Sequence, residues 1–233
     1  MFHMSPDPFD LAEPLRPQAF GRGGSDRIAE PVVEPLWDGI RVIAAAYGGR
    51  ARFWDDGREL TTQDALGQAL ADATLTTIEG AILDGYVTRH IATDEPLDIA
   101  PEPLPTAASL LSCGLVGRRR SGRAQRMQQI AEEEAAQVIA DDDTVNLVIV
   151  DLLWLDGEWL LDVPLLERKR LLGAILPGGS LVRTGPFVRP PIGTWIGSWR
   201  SQGFRGLSFK AANSRYEPGA RSSDWATATM PRR

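Results

Sequence analysis

The stretch Val145–Leu161, VNLVIVDLLWLDGEWLL, constrains the fold more than any other part of the chain. Two apolar runs flank Asp156-Gly157, and glycine accepts the positive φ that a tight type I′ turn demands. The stretch therefore reads as a β-hairpin. Pro164 then opens a helix over PLLERKRLLGAIL, which ends at Pro177-Gly178-Gly179. Upstream, Val32–Ala46, Arg50–Trp54 and Thr77–Arg89 are strand-like, with a helical pattern at Gln63–Ala73 between the last two. Downstream, residues 193–202 read as a short helix, and Gly206–Lys210 and Ser223–Met230 as closing strands. Long strand pairs with interspersed helices predict an α+β fold of mainly antiparallel sheets flanked by helices, not a doubly wound one.

The rest of the chain adds less. Residues 1–30 are rich in Pro, Gly and Asp and read as an irregular lead-in to a domain over 31–233. Residues 94–108 read as a loop. The arginine run Arg118–Arg123 opens a helix through about Val138, and in a chain of net charge −6 it is expected to be solvated. That charge has the wrong sign for unaided binding to nucleic acid. Cys113 is the only cysteine, and His3 and His90 are far apart, so neither a disulfide framework nor a metal site is expected. No apolar run approaches the ~20 residues that span a bilayer. The N-terminus has no signal-peptide pattern, so the expected location is cytoplasmic.

Several segments, in order, resemble the nucleotidyltransferase (adenylation) domain of ATP-dependent DNA ligases. EPLWDGIR (Glu34–Arg41) is similar to that family's first motif, Glu-Pro-Lys-Trp-Asp-Gly-x-Arg. ILDGYVT (Ile82–Thr88) resembles its Leu-Asp-Gly-Glu strand, and Val148–Leu172 its Asp-Gly hairpin with the Pro-Leu-x-x-Arg helix. Arg205–Thr229 resembles the closing motifs, Glu-Gly-x-x-x-Lys and Tyr-x-Pro-Gly-x-Arg-Ser-x-x-Trp-x-Lys-x-Lys. The resemblance implies attack of a lysine amine on the α-phosphorus of ATP, with magnesium held by carboxylates and cations on the phosphates. A lysine serves only with a neutral amine, hence with a lowered pKa.

Several positions depart from that pattern. The nucleophile position is Leu36, which has no lone pair. The ring-stacking phenylalanine is Val150, the glutamate of the Asp-Gly-Glu strand is Tyr86, and the metal-associated glutamate is Arg205. Both phosphate-binding lysines of the last motif are threonines, Thr227 and Thr229, and Asp55-Asp56 stands where a Ser-Arg pair is expected. The matching positions are Glu34, aligned with an adenine-contacting acid, Asp38, Gly39, Arg41, and Lys210, aligned with a phosphate-contacting lysine. Asp151, Asp156, Gly157, Pro164, Arg168, Tyr216, Pro218, Gly219, Arg221 and Trp225 also match, most of them as turn or core formers. Trp54, Trp154, Trp159 and Trp225 are expected to pack in the core. Lys169 and Lys210 are the only lysines. Lys169, inside the Glu-Arg-Lys-Arg run, is expected on a solvated helix face, which leaves Lys210 as the one substitute nucleophile.

Three readings follow. The first is a pseudoenzyme: a ligase-like domain that has lost covalent adenylation and keeps a binding role, its partner a DNA-repair protein or a true ligase. It needs no cofactor, no metal, no direct DNA contact and no membrane. The second is a working ligase or nucleotidyltransferase that uses Lys210 or a partner's lysine, with ATP and magnesium. The third is a non-covalent nucleotide sensor built on Glu34, Arg41 and Lys210. The chain ends soon after the last motif, and no OB-fold domain is expected within it.

Overall fold

The computed structural model describes residues 7–60, 64–74, 78–90 and 145–230. The expected loop at 94–108 and the arginine run with its helix lie outside them. All described residues belong to one compact unit. Its elements are α1 (Pro8–Ala12), β1 (Ala19–Phe20), β2 (Pro31–Pro35), β3 (Ile40–Tyr47), β4 (Arg50–Asp55), β5 (Arg58–Glu59), α2 (Asp64–Ala73) and β6 (Gly80–Thr88). They continue with β7 (Asn146–Leu155), β8 (Glu158–Trp159), α3 (Leu165–Ile175), β9 (Val182–Thr184), α4 (Gly193–Ser201), β10 (Gly206–Ala211), β11 (Arg221–Ser222) and β12 (Trp225–Thr229).

The main sheet runs β5-β4-β3-β6-β7-β8, antiparallel throughout, with β9 parallel to β7. Its central strands are apolar on both faces because both faces are covered. On β3, Val42, Ala44 and Ala46 join a core with Leu66 and Leu70 of α2 and Leu172 and Ile175 of α3. Ile43 and Ala45 point the other way, toward Phe9 and Ala12 of α1, Tyr216 and Trp225. The Asp156-Gly157 turn forms as expected, with φ 47 and φ 98. Asp156 Oδ1 also accepts hydrogen bonds from the Glu79 and Gly80 amides, at 2.6 and 3.1 Å.

The strand-like stretch Val32–Ala46 is two strands in two different sheets. β2 pairs with β10 in a small antiparallel sheet, β12-β10-β2, while β3 enters the main sheet. Gly39, at φ 127, makes the break; a side chain there would come within 2.3 Å of the Val87 carbonyl oxygen. An amphipathic pattern cannot show this, because β2 and β3 are both apolar and only the glycine's backbone conformation separates them. The lead-in also differs from an irregular tail: α1 buries Phe9 and Ala12, and Gln18 is fully buried. Of the four tryptophans expected in the core, Trp54, Trp154 and Trp225 are buried, but Trp159 is 41% exposed on the edge strand β8.

Across β6 and β7, Asp84 stands opposite Asp151. Like charges in register would repel. Each is neutralised by its own arginine: Asp84 by Arg41 of β3, Asp151 by Arg168 of α3. The pairing slips on both sides of Leu83-Asp84, and Val150 has no cross-strand partner. Val150 is therefore the extra residue of a bulge.

Candidate nucleotide site and its buried charges

Glu34 and Ser208 are register partners on β2 and β10, and Lys210 follows two residues later on the same face, beside Trp225 of β12. Helix α3 covers this face, placing Leu165 against Val32 and Ala212. Lys169 lies one turn beyond Leu165, so it is carried inward as well. Its ammonium donates to Glu34 Oε1. Lys210 Nζ lies 2.7 Å from Glu34 Oε2, and Ser208 Oγ donates to the same oxygen at 3.3 Å. All of these side chains are buried; Lys169 is 4% exposed and Lys210 2%.

This corrects the expectation that Lys169 is solvated. In the Glu-Arg-Lys-Arg run only the outer pair faces water, where Arg170 and Glu167 bond each other at 2.6 Å. The inner pair, Arg168 and Lys169, is buried. The signal was present in the spacing: Lys169 stands four residues after Leu165 and three before Leu172, on the apolar stripe. Its charge outweighed its position.

Burial alone would raise the Glu34 carboxyl, but the two ammonium groups and their hydrogen bonds pull it down to about 2. Burial pushes the Lys210 amine below its ordinary value; Glu34 opposes the shift and the nearby Lys169 charge adds to it. Lys210 Nζ also lies 4.5 Å from the Trp225 ring centre, and Lys169 Nζ 5.2 Å from that of Phe187.

Arg41 does not join this cluster. Its Nε and Nη2 donate to the two oxygens of Asp84 at 3.0 and 2.6 Å, and Nη1 to the Gln18 carbonyl at 2.6 Å. Tyr216 donates its hydroxyl to Asp84 at 2.8 Å. The guanidinium lies between 5.7 and 5.8 Å from the ring centres of Phe20, Tyr86 and Trp225. Burial drives the Tyr86 hydroxyl up to about 12. Asp38 and Gly39 are exposed in the link between β2 and β3.

Two of the departing positions fill apolar space together. Val150 is buried with Trp37, Trp199 and Phe204, and Tyr86 packs against the same cluster. Leu36 lies apart, against Gly206: its amide donates to the Gly206 carbonyl at 2.9 Å, and a methyl group on Gly206 would come within 3.0 Å of Leu36 Cδ2. Arg205, Thr227 and Thr229 are exposed. A surface hollow of about 780 Å³ lies elsewhere, lined in part by Phe9, Arg50, Arg52 and Gln68. Among the described residues no group of His, Cys, Asp or Glu is placed to hold a metal ion. Nor is any helix among them long and apolar enough to cross a membrane.

The chain is 29% identical over 199 residues to the multifunctional non-homologous end joining protein LigD of Mycolicibacterium smegmatis, covering 82% of this chain and 20% of that protein. It is 28% identical over 200 residues to a DNA ligase of Natronomonas pharaonis, covering 86% of this chain and 32% of that protein. The chain thus spans a fifth to a third of the length of these relatives. Its fold matches the ligase domain of LigD from M. tuberculosis with a TM-score of 0.61 at 22% identity, covering 93% of this chain and 60% of that one. The family model described as "ATP dependent DNA ligase domain" matches residues 110–227, half of the chain. The chain belongs to the ATP-dependent DNA ligase domain family.

Proposed function

We propose that this ligase-family domain does not form a covalent lysyl–AMP intermediate and serves as a binding module, a pseudoenzyme linked to DNA repair. One observation carries the reading: Leu36 stands at the nucleophile position, and both lysines of the chain are committed to a single buried carboxylate. Burial lowers the Lys210 amine, as a nucleophile requires, but at 2% exposure and in contact with Glu34 it is closed off from an incoming phosphate. The Glu34–Lys210 contact supports the same conclusion. A nucleotide placed between a base-contacting acid and a phosphate-contacting lysine needs those groups apart, and here they are 2.7 Å apart. Arg41 is likewise held by Asp84, which counts against a sensor that uses Glu34, Arg41 and Lys210 together. Val150 and Tyr86 occupy apolar volume that buries instead of stacking on a base.

The repair link rests on relatives named for non-homologous end joining, and the partner is a repair protein or an active ligase. With a net charge of −6, direct DNA contact is not part of the reading. Magnesium is not part of it either, because Arg205 places a positive charge at the metal-associated position. The test is incubation with α-labelled ATP and magnesium, which should leave the protein unlabelled. An acid-labile adduct that disappears in Lys210→Ala would replace this reading with an active nucleotidyltransferase. Calorimetry should show no heat with ATP, ADP, AMP or NAD.

A further inference from the structure

Two ammonium groups meet one carboxylate at Glu34, and among the described residues no second acid bonds either of them. Asp151, another acid acting on Lys210, is already held by Arg168 through both oxygens at 2.8 Å. Asp84 is held by Arg41 and Tyr216. One cation at Glu34 is therefore in surplus, and one can leave without stranding the carboxylate. The two are not equally free to go. Lys210 projects from β10, the middle strand of its sheet, with its ammonium against the fully buried Trp225. Lys169 projects from a helix, and its ammonium lies over Phe187, which is 37% exposed.

We propose that Lys169 is a displaceable latch on Glu34, an autoinhibitory contact that closes a carboxylate subsite to an external amidine-type donor. With the latch released, Glu34 Oε1 is free while Lys210 and Ser208 still hold Oε2. The vacated position is lined by the carboxylate, by Phe187 and by the space of the lysine stem. That combination suits a planar amidinium or guanidinium group, which meets a carboxylate through parallel hydrogen bonds and stacks on an aromatic ring. The latch rests on the reading of Glu34 as part of a former ligand pocket, and it names what keeps that pocket shut.

Because the chain has only two lysines, mass spectrometry of native protein treated with an acetylating reagent reports each amine separately. Lys169 should be acetylated about tenfold faster than Lys210, since its opening is local and that of Lys210 requires the sheet to unfold. Benzamidine should speed Lys169 labelling, because a ligand on Glu34 keeps the lysine out, and it should have no such effect in Glu34→Gln. In Lys210→Met the departure of Lys169 would strand a buried carboxylate, so labelling of Lys169 should slow. Equal protection of both lysines, an indifferent response to benzamidine, or unchanged Lys169 labelling in Lys210→Met would each overturn the latch. None of these results bears on the AMP adduct, so the two proposals fail separately.

Discussion

Arg168 and Lys169 are neighbours on one helix, yet they enter two different kinds of charge centre. Arg168 meets Asp151 one to one, through two hydrogen bonds of 2.8 Å, and another of its nitrogens donates to the Val163 and Ser214 carbonyls. Charge is balanced, and the guanidinium ties β7, α3 and the loop before Tyr216 together. Lys169 shares Glu34 with Lys210, and that centre keeps a surplus positive charge. A balanced buried pair is explained by the fold it holds. An unbalanced one is not, since a second buried cation adds desolvation cost without a carboxylate of its own. The difference separates a centre that the fold needs from one that the fold alone does not explain.

Substitutions at each centre tell the two apart. Arg168→Ala should cost about 3–5 kcal/mol in urea denaturation, because it strands Asp151 in the core; a cost near zero would deny the balanced centre its structural role. Glu34→Gln should cost about 3 kcal/mol, since two ammonium groups then face no carboxylate. The acid limb of stability sharpens the same point. Glu34 is depressed to about 2 from an ordinary 4.5, so its contribution is complete above pH 4.5 and is lost as pH falls toward 2. Glu34→Gln should flatten that limb.

The smallest expected effect discriminates best. Lys210→Met removes the surplus cation and leaves a one-to-one pair, so stability at neutral pH should change by less than about 1 kcal/mol or increase. The Lys210 amine is depressed below 10.5, so the unfolded chain binds more protons across that window and wild-type stability rises with pH there. Lys210→Met should lose this rise, as followed by thermal unfolding across alkaline pH. A loss as large as that of Arg168→Ala would show the two centres to be alike.

Much of the architecture was legible in the sequence because it rests on local rules. Asp156-Gly157 specifies its turn through backbone conformation, and Pro164 starts its helix where expected, serving as the N-cap of α3. The break at Gly39 was not legible, because two apolar strands belonging to different sheets carry no mark of which sheet each joins. Of the candidate site residues, Glu34 and Lys210 come together through strand register. Arg41, only seven residues from Glu34 in sequence, is held elsewhere by Asp84 of β6, the strand that pairs with β3 in the main sheet. Lys169 was missed because a lysine in a charged run reads as solvated, while its helical position places it inside. Trp159 erred the other way, an aromatic that ends on an edge strand in water.

We propose that this domain keeps the ligase fold without the ligase's covalent step, and the mass of the intact protein tests the proposal. After incubation with ATP and magnesium, the account predicts a single species of unmodified mass, with Lys169 and Lys210 both recovered free in the peptide map. A species heavier by one AMP, mapped to either lysine, would contradict it.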